Sequence, residues 1–280
     1  MTSGSISSLD WRLGILRQNY LQSRLHSITK AAEIAIPRLD AKDMEGFDVL
    51  ELETDLVLIP GAGSAPEVWD RFSSFLPKNI GVYRFTHLEI SDVLEVAQAS
   101  APYLPDKFAV IGHSFGAHIA LALCELFPER IENLVVVAGA TAAETINDRM
   151  DTMLQRLSTE GYDAVVDGYY DFYVNAGQSR SQAEVMRQGM VDFGAARFKA
   201  NIEAMRWRPD WSKALRKFSA PSLFVGAQND TTTPPASVKQ LANLVRGSVY
   251  IEIPNCTHAI PVEQPRALAA VTLEWWRSIG

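Results

Sequence analysis

From residue 55 onward, short and almost wholly apolar runs alternate with longer stretches whose apolar residues recur every three or four positions. The runs fall at 56–59, 82–85, 108–111, 134–137, 222–225 and 248–251. A strand that is apolar on both faces must be covered on both faces, and a helix after each strand returns the chain to pair in parallel. The rhythm therefore predicts an α/β fold. Its core is a mostly parallel, doubly wound sheet with helices at 68–76, 91–104, 115–127, 235–245 and 262–279.

Two segments depart from the rhythm. Residues 143–215 carry helical, aromatic-rich patterns and no buried strand, which predicts a helical cap inserted over the sheet. In residues 1–54, Leu9, Leu13, Leu16 and Tyr20, then Leu21, Leu25, Ile28 and Ala32, recur at helical spacing until Pro37. This predicts an N-terminal helical extension without catalytic groups, offering a surface for packing or for a homo-oligomer. An opening β-hairpin at 33–36 and 47–52 is the alternative. The core is then 55–142 with 216–280.

Composition narrows the function classes. A length of 280 residues suits one large domain with a cap, and 47% hydrophobic and 21% charged residues are ordinary for a globular protein. The net charge of −7 gives no attraction to nucleic acid or anionic lipid. No basic start leads into an apolar run, and no eighteen apolar residues are consecutive, so the expectation is a cytoplasmic protein without a membrane partner. Cys124 and Cys256 lack the spacing of a zinc site or redox pair and read as reduced thiols. No metal and no cofactor are expected.

The chemistry concentrates in a few loops. Gly112-His113-Ser114-Phe115-Gly116 lies between an apolar run and a helical stretch, the strand–turn–helix context in which a serine Oγ is lifted above a sheet. Ser114 then stands at a helix N-terminus, where free N–H groups favour developing negative charge. The small-residue loop Pro60-Gly61-Ala62-Gly63-Ser64 after the first run lets backbone N–H groups approach a substrate oxygen. Ala62, with Gly63 second, and Phe115 are the expected oxyanion donors. A phosphate-binding loop is the competing reading, but no Lys-Ser or Lys-Thr follows and no third glycine stands at dinucleotide spacing.

Five histidines could serve as the base: His26, His87, His113, His118 and His258. His258 alone follows the last run and precedes the last helix, which fits the chain order nucleophile, acid, histidine. The acid between them is expected at Asp230, in the loop after the run at 222–225, where a turn or helix-cap role is the alternative.

These pieces resemble the α/β-hydrolase family over residues 55–280. Within it, the chain is similar to carboxylesterases and lactonases of the pimeloyl-carrier-protein methyl esterase and 3-oxoadipate enol-lactonase type. The matching motifs are Leu58-Ile59-Pro60-Gly61, the serine pentapeptide, Arg208-Pro209-Asp210, Cys256-Thr257-His258 and Val262-Glu263-Gln264-Pro265. Two departures stand out. Pro60-Gly61 occupies the place of a frequent His-Gly, which should alter how the oxyanion loop is supported. Tyr83-Arg84-Phe85-Thr86-His87 replaces an Asp-x-x-Gly-His-Gly loop and implies a more open entrance.

The resemblance implies the α/β-hydrolase fold with a helical cap. It also implies a serine hydrolase for a small-molecule ester or lactone, with Ser114, His258 and Asp230 as triad. An acyltransferase or thioesterase would use the same triad, and a non-catalytic ligand receptor would use the same scaffold. Tyr162, Tyr169, Tyr170, Phe172, Tyr173, Met186, Met190, Phe193 and Trp207 are expected to divide between an apolar pocket wall and the cap's own core. Arginines 149, 156, 187, 197, 206 and 208 could meet a carboxylate or an acyl carrier protein, though a solvated helical face is the plainer role for most.

Overall fold

A computed structural model describes residues 22–23, 54–140, 144–175 and 179–279. The expected N-terminal helices, the alternative hairpin, His26 and any self-association surface on that segment lie outside the described residues, save a bond from Gln22 Nε2 to Glu252 O at 3.3 Å.

Among the described residues six strands form one sheet: β1 Asp55–Ile59, β2 Val82–Arg84, β3 Phe108–His113, β4 Ile131–Val137, β5 Ser222–Ala227 and β6 Val249–Ile253. Their order is β2-β1-β3-β4-β5-β6, and every pairing is parallel. The expectation of a mostly parallel sheet is thus met in full. From β1 the chain steps out to the edge strand β2, then crosses back to β3. That reversal opens a crevice above the C-terminal ends of β1 and β3, where open α/β sheets bind their ligands.

Alternate residues of each strand enter opposite apolar layers, as the two-residue period requires. Val57, Ile59, Val110, Val136 and Phe224 face one layer, with helices α2 (Val93–Ser100), α3 (Phe115–Leu126) and α9 (Pro235–Ala242). Leu56, Leu58, Ile111, Val135 and Val225 face the other, against Trp69, Phe72 and the face Leu268, Val271 and Trp275 of helix α11 (Pro265–Ile279). Each such side chain contributes roughly 1.5–3 kcal/mol by leaving water.

Several expected helices are shorter or divided, that at 235–245 ending at Ala242, and prolines explain two of the differences. The stretch at 262–279 splits into α10 (Ile260–Glu263) and α11, because Pro265 pushes Gln264 out of the helical region to φ −131°, ψ 50°. At Pro102 the α2 segment tightens into a 3-10 turn, Ala101–Tyr103. The stretch at 68–76 is a 3-10 turn, Pro66–Trp69, followed by one turn of helix, α1 (Asp70–Ser73).

Between β4 and β5 lie α4 (Glu144–Thr159), α5 (Tyr162–Asn175), α6 (Arg180–Phe193), α7 (Ala195–Arg206) and the short α8 (Ser212–Leu215), with no strand among the described residues. Gly161 at φ +85° and Gly194 at φ +88° supply left-handed turns between helices, and Ser179 with Gln182 forms a capping box on α6. Val165, Val166, Met190, Phe193, Phe198 and Ile202 make these helices' own apolar core. Three bonds from two side chains anchor this segment to the sheet layer. Trp211 Nε1 donates to His118 Nδ1 on α3 at 2.9 Å, and the Arg149 guanidinium donates to Thr231 O and Thr232 O at 3.1 and 3.0 Å.

Candidate active site

The turn from β3 into α3 is sharp enough to force Ser114 to φ 53°, ψ −116°. Such a conformation costs a non-glycine residue about 1–3 kcal/mol and persists only where the surroundings hold it. Here the Ser114 N–H donates to Val137 O at 2.9 Å. The two flanking glycines are dictated by contact. A Cβ on Gly112 would lie 2.3 Å from Gly116 O, and one on Gly116 would lie 2.3 Å from Ile59 O and 2.4 Å from Pro60 O.

Helix α3 therefore rests directly on the end of β1, and this contact brings the serine turn beside the loop that follows β1. Gly116→Ala is expected to destabilise the fold by at least about 2 kcal/mol, since the colliding atoms are backbone and cannot rotate away. Urea unfolding checks this, and an unchanged midpoint with an unchanged slope would contradict the close approach.

Two loops bring the other groups to Ser114. After β5, Gln228 N–H donates to Ile253 O at 3.0 Å and Asn229 N–H to Cys256 O at 2.9 Å, which fastens the β5 loop to the β6 loop. Asp230 follows, its side chain fully buried. Asp230 Oδ1 accepts from Thr232 N–H and Thr233 N–H, both at 2.8 Å, leaving Oδ2 to face the His258 ring at 2.8 Å from Nδ1. The aspartate thus fills the turn-capping role and the ring-orienting role together. Because a carboxylate oxygen only accepts, Nδ1 carries the proton, and the lone pair of Nε2 is left for Ser114 Oγ, 2.8 Å away.

The loop carrying His258 is held on both sides. Glu263 accepts from Thr257 N–H at 2.8 Å, from the Thr257 hydroxyl and from Ala259 N–H at 3.1 Å, so one carboxylate brackets the histidine. His113 Nε2–H donates to His258 O at 2.8 Å. Neither support was read from the sequence, although Glu263 stands in a matching motif and His113 inside the serine pentapeptide; single residues carry no signal of which backbone group they will reach.

The remaining described histidines are buried. Burial lowers His113 to a pKa of about 3, with the nearby His258 adding to the effect. Burial likewise lowers His87 to about 4 and carries His118 well below its ordinary value. All three are neutral near pH 7. His258 is the histidine whose ring reaches Ser114 among the described residues.

Beside the serine, Gly61 to Ser64 form a tight turn closed by Ser64 N–H to Gly61 O at 3.1 Å, with Gly63 at φ +69°. Ala62 is the first central residue of that turn. A Cβ on Gly61 would lie 3.4 Å from Ser114 Cβ, which measures how closely the loop approaches the serine. Phe198 and Met190 cover the turn from the other side, 2.9 and 3.3 Å from where a Gly63 Cβ would stand. Phe115 opens α3, so its N–H has no carbonyl one turn earlier to bond.

A cleft of about 310 Å³ adjoins this turn, walled mainly by Ser64, Ala65, Val68, Met186, Gly189 and Val262, with Arg71 and Asp192 also lining it. Of the aromatic residues expected to divide between pocket wall and cap core, Trp207 and Phe172 do neither. They are 68% and 39% exposed, and the Arg206 guanidinium lies over the Trp207 ring. Phe193 is in the apolar core that helices α5 to α7 share, with Tyr162 and Tyr169 packed against that core. The arginines are largely engaged with the protein: Arg156 with Glu160, Arg187 with Asp167, Arg206 with Asp151, and Arg208 buried on Met205 O. Cys124 and Cys256 are free and buried, and burial raises both thiols above their ordinary value. Among the described residues, no group of three His, Cys, Asp or Glu side chains could hold a metal ion, and no helix is long and apolar enough to cross a membrane.

Comparison with known proteins agrees with this architecture. Residues 56–271 match the model of the alpha/beta hydrolase family. A pimeloyl-[acyl-carrier protein] methyl ester esterase of Nitrosomonas europaea is 21% identical over 225 residues, covering 73% of this chain and 88% of that protein. A putative carbamate hydrolase of Rhizobium rhizogenes is 28% identical over 193 residues, covering 67% and 72%. The enol-lactonase of Burkholderia xenovorans superposes with a TM-score of 0.69 at 17% identity, over 80% of this chain and 91% of that one, a likeness of fold alone. With its family model spanning β1 to α11 and its serine turn between β3 and α3, the chain belongs to the alpha/beta hydrolase family.

Proposed function

We propose that this protein is a serine hydrolase that cleaves a carboxylic ester or lactone bearing an apolar acyl group through an acyl-enzyme intermediate. The observation that carries the reading is the continuous relay Ser114 Oγ, His258 Nε2, His258 Nδ1, Asp230 Oδ2, with both links at 2.8 Å. Relatives named as a methyl ester esterase and a carbamate hydrolase support acyl hydrolysis as the reaction class.

In this reading Ser114 Oγ attacks the carbonyl carbon while His258 Nε2 takes its proton. The buried Asp230 carboxylate holds the ring and balances the charge it acquires. The N–H groups of Ala62 and Phe115 receive the oxyanion, each such donor being worth about 3 kcal/mol in the transition state. His258 returns the proton to the leaving oxygen, and water repeats the sequence on the acyl-enzyme. No cofactor enters. The helices of residues 143–215 act as the cap over a core of 55–142 and 216–280. The adjoining cleft, with Ala65, Val68, Met186 and Val262, favours apolar groups. We place the protein in the cytoplasm, which fits two buried unpaired thiols.

The test is kcat/KM on p-nitrophenyl esters of increasing acyl length, beside thioesters, lactones and competing alcohols. We expect turnover to be highest on small to medium apolar acyl chains, with free acid as product. Acyl transfer to the alcohol in place of hydrolysis would establish the transferase alternative, and no turnover on any acyl donor would favour the receptor.

A further inference from the structure

We propose that His87 is a positioning residue that aims the Ala62 N–H at the substrate oxyanion by anchoring the peptide group to which that N–H belongs. The inference rests on the hydrolase reading above and concerns how its oxyanion loop is set.

His87 follows the edge strand β2 and is buried under the loop after β1. Its Nε2–H is shared between Pro60 O at 2.9 Å and Gly61 O at 3.1 Å. The second of these acceptors decides the matter. Gly61 C=O and Ala62 N–H are the two ends of one trans peptide, so they point in opposite directions. Whatever fixes the carbonyl fixes the N–H. Gly61 O also accepts from Ser64 N–H at 3.1 Å, so two donors hold this one oxygen. Hydrogen bonds accepted at a carbonyl polarise the peptide and strengthen its N–H as a donor.

The ring itself is locked. It packs 5.2 Å from the Phe115 ring, 5.6 Å from Phe193 and 5.7 Å from Phe85, centroid to centroid. One side chain therefore bears on both expected oxyanion donors, through hydrogen bonds to the Ala62 peptide and through ring contact with Phe115. His87 Nδ1 has no hydrogen-bond partner, which fits a single proton on Nε2. Burial, which lowers the ring's pKa to about 4, keeps it neutral near pH 7, in keeping with the unpartnered Nδ1. A residue needed only to fill space among three phenylalanines would have no use for two carbonyl partners.

The experiment compares wild type with His87→Phe, which keeps an aromatic ring and removes the donor, and His87→Gln, which restores an N–H donor. Kinetics on a p-nitrophenyl ester are read as kcat and KM separately, with thermal melts to confirm folding and Ser114→Ala as the control for Ser114-dependent turnover. A loss of 10- to 100-fold in kcat is expected for H87F with KM within about twofold, smaller than the 10²–10³ that removing an oxyanion donor costs, because the N–H is misaimed and not deleted. H87Q is expected to recover at least fivefold over H87F. Should H87F fail to fold, H87Q against the shorter H87N carries the comparison, with the glutamine expected to be the faster.

Folded H87F with wild-type kcat, or H87Q no better than the variant without a reaching donor, overturns the assignment while leaving the hydrolase reading intact. Absence of Ser114-dependent turnover in wild type overturns the hydrolase reading and this assignment with it.

Discussion

Ser114→Ala is expected to lower kcat by about 10⁵- to 10⁶-fold, the scale seen when a serine nucleophile is removed from an intact triad. The alanine keeps the backbone of the turn, including the bond from its N–H to Val137 O, and no packing atom is lost apart from Oγ. Its left-handed φ of 53° is no worse for alanine than for serine, so the unfolding free energy should stay within about 1 kcal/mol of wild type. Activity and stability are thereby separated. The check is kcat on the best ester together with a urea melt. A folded variant that retains more than a hundredth of wild-type turnover would show that another group attacks the carbonyl.

Asp230→Asn is expected to cost about 10⁴-fold in kcat, nearly as much, for a different reason. An asparagine can keep Oδ1 as acceptor for Thr232 N–H and Thr233 N–H, so the loop should survive. The NH₂ group then faces His258 Nδ1, where a proton now sits. Two donors cannot share that 2.8 Å contact, and the ring shifts its proton to Nε2. In that tautomer Nε2 donates to Ser114 Oγ and cannot accept its proton. Asp230→Ala removes the ring partner and also leaves the two threonine N–H groups unsatisfied, so it should be less stable than D230N by about 1–3 kcal/mol. A D230N enzyme within tenfold of wild type would mean that Asp230 serves only the turn.

The contrast between what was and was not legible in the sequence follows the range of the interactions involved. Five strands, β1 and β3 to β6, were readable because burial on both faces writes a nearly unbroken apolar run, whereas the edge strand β2 is half-buried to exposed. The serine turn was readable because its glycines are required by contacts of 2.3 Å with neighbouring backbone. The two loops that bring Asp230 and His258 together were readable from their positions after β5 and β6. Helix ends were less so, as Pro265 and Pro102 show, since a local break in φ competes with a periodic pattern that continues through it.

The supporting residues were illegible for a further reason. Glu263 brackets His258 and His113 holds its carbonyl across 145 positions of chain, and which backbone group a buried side chain reaches is settled only when the loops have packed. At Pro60-Gly61 the loop is supported by His87, which reaches both carbonyls from the neighbouring strand end. In the sequence His87 is legible as a rival for the general base and as the end of a shortened loop, with no signal of the carbonyls it reaches. Trp207 and Phe172 mark the opposite error: aromatic character suggested a pocket wall or cap core, while Trp207, in the turn that ends α7, and Phe172 on α5 are exposed.

The central claim, that Ser114 is the nucleophile of a working triad, is tested most directly by labelling the folded protein with a fluorophosphonate and locating the adduct by peptide mass spectrometry. The account predicts one adduct per chain, on Ser114, forming in step with loss of esterase activity. It also predicts no adduct in Ser114→Ala and labelling slowed by orders of magnitude in Asp230→Asn. Folded protein that stays unlabelled, or that hydrolyses esters with Ser114 unmodified and another side chain carrying the phosphonate, would contradict it.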